Sequence, residues 1–168
     1  MTGMPVVADS SPLVYLAALS DFHFLRDLFG EIVIPPAVYQ EVVVQGTGFP
    51  VKSEVEAALD DWVVVMAVRN RRRVEEACEA GCIDIGEAEA IVLAQECQAG
   101  TLLLDDQRAV GYARKLGLNV VRTPVVYSEA KLRGWVSSVR EKLDALRKKG
   151  FRLSERHYHL ILDEIGES

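Results

Sequence analysis

The sequence predicts an α/β protein: a three-layer α/β/α domain around a central, mostly parallel sheet of about four to five strands. Three observations predict it. Short apolar runs alternate with helical segments along nearly the whole chain. The run Trp62–Val68 is β-branched and apolar without polar alternation, the mark of a strand covered on both faces. At 168 residues and 49% hydrophobic, the chain suits one domain that buries roughly 70% of the surface its unfolded form exposes.

Element by element, Val6-Val7-Ala8 reads as the first strand, closing on Asp9-Ser10-Ser11-Pro12, a good helix start because Asp and Ser cap and Pro suits the first turn. Asp21 is placed to cap a short helix over Phe22–Phe29, stopped by Gly30. Glu31–Ile34 reads as a second strand, and Pro35-Pro36 opens a helix through Glu41 and Val42. After the Gly46–Pro50 loop, Ser53 starts a helix over Glu54–Asp60. Trp62–Val68, β-branched and apolar, reads as a buried strand, followed by a polar helix over Arg69–Ala80. Asp84-Ile85-Gly86-Glu87 has capping-box spacing ahead of a helix over Glu87–Gln98. Thr101–Leu104 is the next strand and ends at Asp105-Asp106. A helix over Gln107–Leu116, a strand at Asn119–Val121 and a helix from Pro124 to Arg133 follow. Ser138–Lys149 and Ser154–Ile165 are a last pair of helices. Residues 1–134 are expected to form the catalytic-type domain and 135–168 a helical extension packed on it.

Composition sets limits. With 26% charged residues and many Val, Leu and Ile, disorder is excluded. The longest apolar runs, Leu13–Leu19 and Trp62–Val68, fall far short of the roughly 20 residues of a spanning helix, so no membrane association is expected. The N-terminus lacks a basic region, and three unpatterned cysteines (Cys78, Cys82, Cys97) fit a reducing cytoplasm, the expected location. Cys78 and Cys82 have no second pair and no nearby His, so they read as structural rather than zinc ligands. The net charge of −6 argues against indiscriminate polyanion binding, yet it hides an asymmetry. Residues 1–107 carry 6 basic and 18 acidic side chains, whereas residues 108–156 carry 13 basic and 4 acidic ones. Solvated helix faces would give such a split, and so would an acidic metal site beside a basic surface.

In open α/β sheets, ligands collect at the carboxyl ends of the strands. Asp9 and Asp105-Asp106 follow two strands directly, Glu41 follows a third by one and a half helical turns, and Glu87 opens a helix. Each has a plain structural explanation: Asp9 an N-cap, Glu87 half of a capping box, Asp105-Asp106 a turn, Glu41 a surface residue. Together, acids gathered at one sheet end repel each other unless a cation neutralises them, and oxygen-only donors point to Mg²⁺ or Mn²⁺.

The segments Val7-Ala8-Asp9-Ser10-Ser11-Pro12-Leu13, Ile34–Glu41, Gly86-Glu87-Ala88-Glu89-Ala90-Ile91 and Leu103-Leu104-Asp105-Asp106 resemble those of PIN-domain proteins. That family includes the toxin ribonucleases of VapBC-type toxin–antitoxin pairs, and the closest likeness is to a PIN-like branch of unknown function. Gly150-Phe151-Arg152-Leu153-Ser154 also resembles that branch. The resemblance implies a metal-dependent ribonuclease with Asp9, Glu41, Glu87 and Asp106 as catalytic metal ligands and Asp105 as a second metal candidate. Many relatives carry Asp where this chain has Glu87 and Glu89. Two residues apart on a helix point about 200° apart, so one of the two faces the site, and Glu87, nearer the strand ends, is preferred. The expected chemistry is in-line attack of water on a phosphodiester with no covalent enzyme intermediate.

Ser10 is a candidate to bind a ligand carboxylate or a phosphate, with capping as the alternative for it and for Ser11. Arg108 and Lys115, on the helix after Asp106, are candidates to hold substrate phosphates, as is the Arg69–Arg73 cluster. The expected partners are RNA, a small antitoxin protein and a second copy of the chain in a homodimer. A PIN-like module without catalysis, serving RNA binding or regulation, is the alternative. A phosphate-accepting receiver domain shares the acidic pocket but lacks a convincing Lys and Thr arrangement at the later strand ends.

Overall fold

Strands of two or three residues hold a sheet together here because their neighbours on both sides are equally apolar and their backbone groups pair in register. The computed structural model describes residues 3–168. Among them, strands β1 (Val6–Ala8), β2 (Ile32–Ile34), β3 (Val63–Val65), β4 (Thr101–Leu103) and β5 (Val120–Val121) form one all-parallel sheet in the order β3-β2-β1-β4-β5. Val7 pairs with Val33 on one side and with Leu102 on the other. The chain winds outward from β1 in both directions, so the β1–β4 boundary is the topological switch point.

The helices are α1 (Ser10–Ala18), α2 (His23–Phe29), α3 (Pro36–Tyr39), α4 (Pro50–Ala58), α5 (Arg71–Gly81), α6 (Ile85–Glu96), α7 (Gln107–Lys115), α8 (Thr123–Leu132), α9 (Val139–Lys148) and α10 (Glu155–Glu164). A π-helical turn, Gln40–Val44, continues α3, marked by the Gln45 N–H donating to the Gln40 carbonyl at 2.9 Å. Alternation along the strands builds two cores. Val6, Ala8, Ile32, Ile34 and Leu103 face one, closed by α1, α4, α8, α9 and α10. Val7, Val33, Leu102, Leu104 and Val120 face the other, closed by α5, α6 and α7. Val139, Leu143, Leu146, Phe151, Tyr158 and Leu162 belong to the first core, so α9 and α10 share it with β1. Burying Leu143 and Leu146 completely contributes about 1.5–3 kcal/mol each.

Two expectations are corrected. Trp62–Val68 is not a seven-residue buried strand: β3 spans three residues at the sheet edge, and Val65 and Met66 are exposed. Asp21 does not cap α2 through its side chain; Phe22 holds that position. The Asp21 carboxylate is instead buried, accepting from the Tyr127 hydroxyl at 2.8 Å and from Lys142 Nζ at 2.7 Å, and so ties α9 and α8 to the α1–α2 turn.

Candidate active site

Asp9 ends β1 and Asp105-Asp106 follow β4, so the two central strands deliver three carboxylates to the switch point. α6 runs back antiparallel to the strands, which sets its N-terminus, Asp84 through Glu87, at the same end of the sheet. Glu41 arrives on the π-helical turn, and Ser10 Oγ donates to its Oε2 at 2.8 Å. Gly86 leaves room for that carboxylate: a methyl group there would collide with Glu41 Oε1.

Asp9 stands at the N-cap of α1, yet its side chain makes no capping hydrogen bond. It is 5% exposed. Burial holds its pKa well above the ordinary carboxylate value; the Ser10 N–H offsets part of this, and the charges of Glu87, Asp84 and Glu41 push it further up. Among the described residues, no ion pair engages its carboxylate. Glu87 is raised to about 7, first by burial and then by Asp84, Asp106 and Glu41, with the Asp84 N–H lowering it in part. Glu41 is raised by burial and by Asp84 and lowered by the Ser10 hydroxyl. The charges of Glu87, Asp84 and Glu41 therefore act on Asp9, and those of Asp84, Asp106 and Glu41 on Glu87.

The capping box is also real. Asp84 Oδ1 accepts from the Glu87 N–H at 2.9 Å, and Glu87 Oε2 accepts from the Asp84 N–H at 3.1 Å. Asp84 is the acid that sequence reading left out of the site, because its capping role explained it fully. Asp106 caps α7 by accepting from the Ala109 N–H at 3.0 Å.

Two acidic residues turn away. Asp105 is committed to protein donors: the Thr123 N–H at 2.8 Å, the Thr123 hydroxyl at 2.6 Å and the Ser11 hydroxyl at 3.0 Å. Burial raises its pKa and those bonds offset the rise. Its carboxylate braces the starts of α1 and α8. Glu89 is buried on another face of α6, accepting from the Ala37 N–H at 2.9 Å and pairing with Arg71. Glu87 is thus the member of the Glu87/Glu89 pair that meets Asp9.

The cations divide by position. Arg69 and Asn70 donate their N–H groups to the Glu96 carboxylate, twelve residues from Asp84 along α6 and hence about 18 Å away. The Arg69–Arg73 cluster therefore starts at the opposite end of the sheet. Lys115 lies in the last turn of α7, about 14 Å of helix rise from Asp106. Arg108, in the first turn of α7, stays at the acidic end, and Arg71 reaches back along α6 to pair with Glu89.

A divalent ion fits the donor chemistry: all-oxygen ligands, a buried carboxylate that makes no ion pair among the described residues, and a glycine that clears the approach of Glu41. As the side chains stand, no group of three His, Cys, Asp or Glu among the described residues is arranged to hold one ion together. One oxygen each of Glu41 and Glu87 is engaged by Ser10 and by the Asp84 N–H.

A family model described as a PIN domain (DUF3368) matches residues 5–167. No curated protein matches the chain at a significant level. No helix among the described residues is long and apolar enough to cross a membrane.

Proposed function

We propose, on the premise that this chain belongs to the PIN-domain family, that it is a Mg²⁺- or Mn²⁺-dependent ribonuclease acting as the toxin half of a toxin–antitoxin pair. Its expected partners are a small antitoxin protein and a second copy of the chain. The observation that carries the nuclease reading is Asp9: a buried carboxylate at the switch point that does not cap its helix, makes no ion pair among the described residues and feels the charges of Glu87, Asp84 and Glu41. Such an arrangement costs stability, and a bound cation relieves the cost.

Asp9, Glu41, Glu87 and Asp106 would hold the ion. When bound, it supplies charge neutralisation at the scissile phosphate and lowers the pKa of attacking water. The protein's own groups do the positioning. Ser10 aims the Glu41 carboxylate, the capping box sets Glu87 on the first turn of α6, and Asp105 fixes the β4–α7 turn that carries Asp106. Raised to about 7, Glu87 is about half protonated at neutral pH in the metal-free protein, which spares the site part of its repulsion.

One observation favours the second reading, a PIN-like RNA-binding module without catalysis: no three acids are arranged to hold an ion together as the side chains stand. Incubation of purified protein with a mixed RNA pool, with Mn²⁺ or Mg²⁺ and with EDTA, separates the two. Metal-dependent cleavage that Asp9→Asn abolishes is expected. Binding without cleavage by the folded wild type would establish the silent module, and cleavage persisting in Asp9→Asn would remove Asp9 from the mechanism.

A further inference from the structure

The Gly150–Ser154 segment has no part in the acidic group, yet its side chains and backbone reach the neighbourhood of Asp105. The Phe151 ring packs edge-on against Tyr15, centroids 5.1 Å apart, and carries the Arg122 guanidinium over its face at 5.5 Å. Arg122 precedes Thr123, whose N–H and hydroxyl hold Asp105, and Tyr15 lies in the second turn of α1. Arg122 makes one long hydrogen bond, from Nη2 to the Arg152 carbonyl at 3.4 Å; its charge favours ionised Asp105, and its buried Nε–H has no partner among the described residues. Arg152 is exposed, and no ion pair or side-chain hydrogen bond engages its guanidinium among the described residues. Burial and the Asp105 charge raise the pKa of the Tyr15 hydroxyl, and the Arg152 charge lowers it.

Several cations of the basic stretch are occupied: Lys131 is tied to Glu167, Arg133 to Glu129, Lys142 to Asp21 and Arg147 to Glu155. Arg122 and Arg152 differ from the other cations in being joined to each other, and in the aromatic support under Arg122 next to the residue that holds Asp105.

We infer that Arg122 and Arg152, seated on Phe151 and flanked by Tyr15, form a phosphate-binding subsite for the RNA strand on the β5 side of the acidic group. The inference rests on the nuclease reading and deepens it by giving the strand a direction of exit. Guanidinium groups suit this use, because they present forked donors to phosphate oxygens and stay charged at all working pH values. Such contacts hold the strand in register without reading bases.

The test is binding of two unrelated fluorescein-labelled 12-nucleotide RNAs in EDTA, followed by anisotropy across a salt series, for wild type, Arg152→Ala, Arg152→Glu and Arg122→Lys. Each phosphate contact contributes about 0.7 to the slope of log affinity against log salt for a single strand. Arg152→Ala is expected to lower the slope by about that amount on both RNAs alike, and Arg152→Glu by at least as much. Arg122→Lys, which keeps the charge and loses the fork, is expected to weaken binding with the slope nearly kept. Lys52→Ala, on α4 and paired with Glu56, is the control and should leave the slope unchanged. Slopes equal to wild type in both Arg152 variants overturn the subsite while the nuclease reading stands. Loss on one RNA alone overturns it too, because that is base reading. If wild type binds both RNAs with the expected slope changes but never cleaves RNA with metal, the nuclease reading falls and the subsite stands as an RNA contact. Failure of folded wild type to bind either RNA in EDTA overturns the subsite, while the nuclease reading stands or falls on metal-dependent cleavage.

Discussion

Asp9→Asn separates a metal ligand from a helix cap. The substitution keeps size and shape and removes one ionisable group. In the metal-free protein the Asp9 carboxylate is buried at 5% exposure with Glu41, Asp84 and Glu87 around it. Burying an ion without a partner costs several kcal/mol, whereas an incompletely satisfied amide costs about 1–3 kcal/mol. The variant in EDTA should therefore be more stable than wild type by about 1–3 kcal/mol. For a chain of this length each kcal/mol moves Tm by about 2–4 °C, so a rise on the order of 2–10 °C is expected. Divalent metal reverses the order. A ligand at a hundred times its Kd stabilises by about 2.7 kcal/mol, which wild type should gain and the variant should largely lose. Thermal melts in EDTA and in a Mn²⁺ series read both terms. A cap predicts something else, because Asn caps as well as Asp: no change in EDTA and an equal response to metal. That result would refute the reasoning.

Gly86→Ala should leave the fold intact, since Gly86 has ordinary helical backbone and the group in the way is the flexible end of Glu41. The Tm is expected to hold or rise by a few degrees, from the roughly 0.5–1 kcal/mol that Ala gains over Gly in a helix, while Mn²⁺ stabilisation falls at least tenfold in apparent affinity by calorimetric titration. Glu167→Gln tests the link between the α10 end and the start of α9. Burial works against ionisation of Glu167, but Lys131 Nζ at 2.6 Å, the Val139 and Arg140 N–H groups and the Ser138 hydroxyl outweigh it and hold the pKa at about 2. A lowered carboxylate pKa stabilises above the unfolded value of about 4.5 and loses that contribution as pH falls toward 2. The variant should melt lower at pH 7 by about 1–2 kcal/mol, discounted for the solvent around Lys131, and the gap to wild type should close between pH 4.5 and 2 in melts followed by circular dichroism.

The acidic end of the sheet was legible because its signal is local. Asp9 and Asp106 directly follow apolar strands, and a buried parallel strand announces itself by its unbroken Val and Leu run. The resemblance singled out Glu87 and Glu89, helix geometry allowed one of them to face the site, and nearness to the strand ends favoured Glu87; Glu89 binds the Ala37 N–H and Arg71. What failed depended on neighbours distant in sequence. Trp62–Val68 has the composition of a central strand, but where a strand sits in a sheet is decided by which strands find it; β3 ended at the edge and kept three residues. Asp84 was hidden by a correct explanation. Its capping bond is local and visible in the spacing, whereas its charge on Asp9 arises only because α6 starts beside β1.

The cations show the same division most sharply. The densest cluster in sequence, Arg69–Arg73, looks placed for substrate, since a helix after a parallel strand ordinarily begins at the carboxyl end of the sheet. Here residues 66–70 return along the sheet first, and α5 begins beside Glu96 at the other end of α6. Density of charge is therefore a poor guide to use; what matters is which charges remain unpaired once the fold has closed. By that criterion Lys131, Arg133, Lys142 and Arg147 leave the basic stretch of residues 108–156, whereas Arg108 lies in the first turn of α7 beside Asp106, and Arg122 lies over Phe151 with its Nη2 on the Arg152 carbonyl. An excess of acid at the strand ends and a small set of unpaired guanidinium groups beside it meet different parts of one polyanion. The carboxylates need a cation before a phosphate can approach, whereas the arginines can take the neighbouring phosphates directly. RNA binding should consequently survive in EDTA even where cleavage does not.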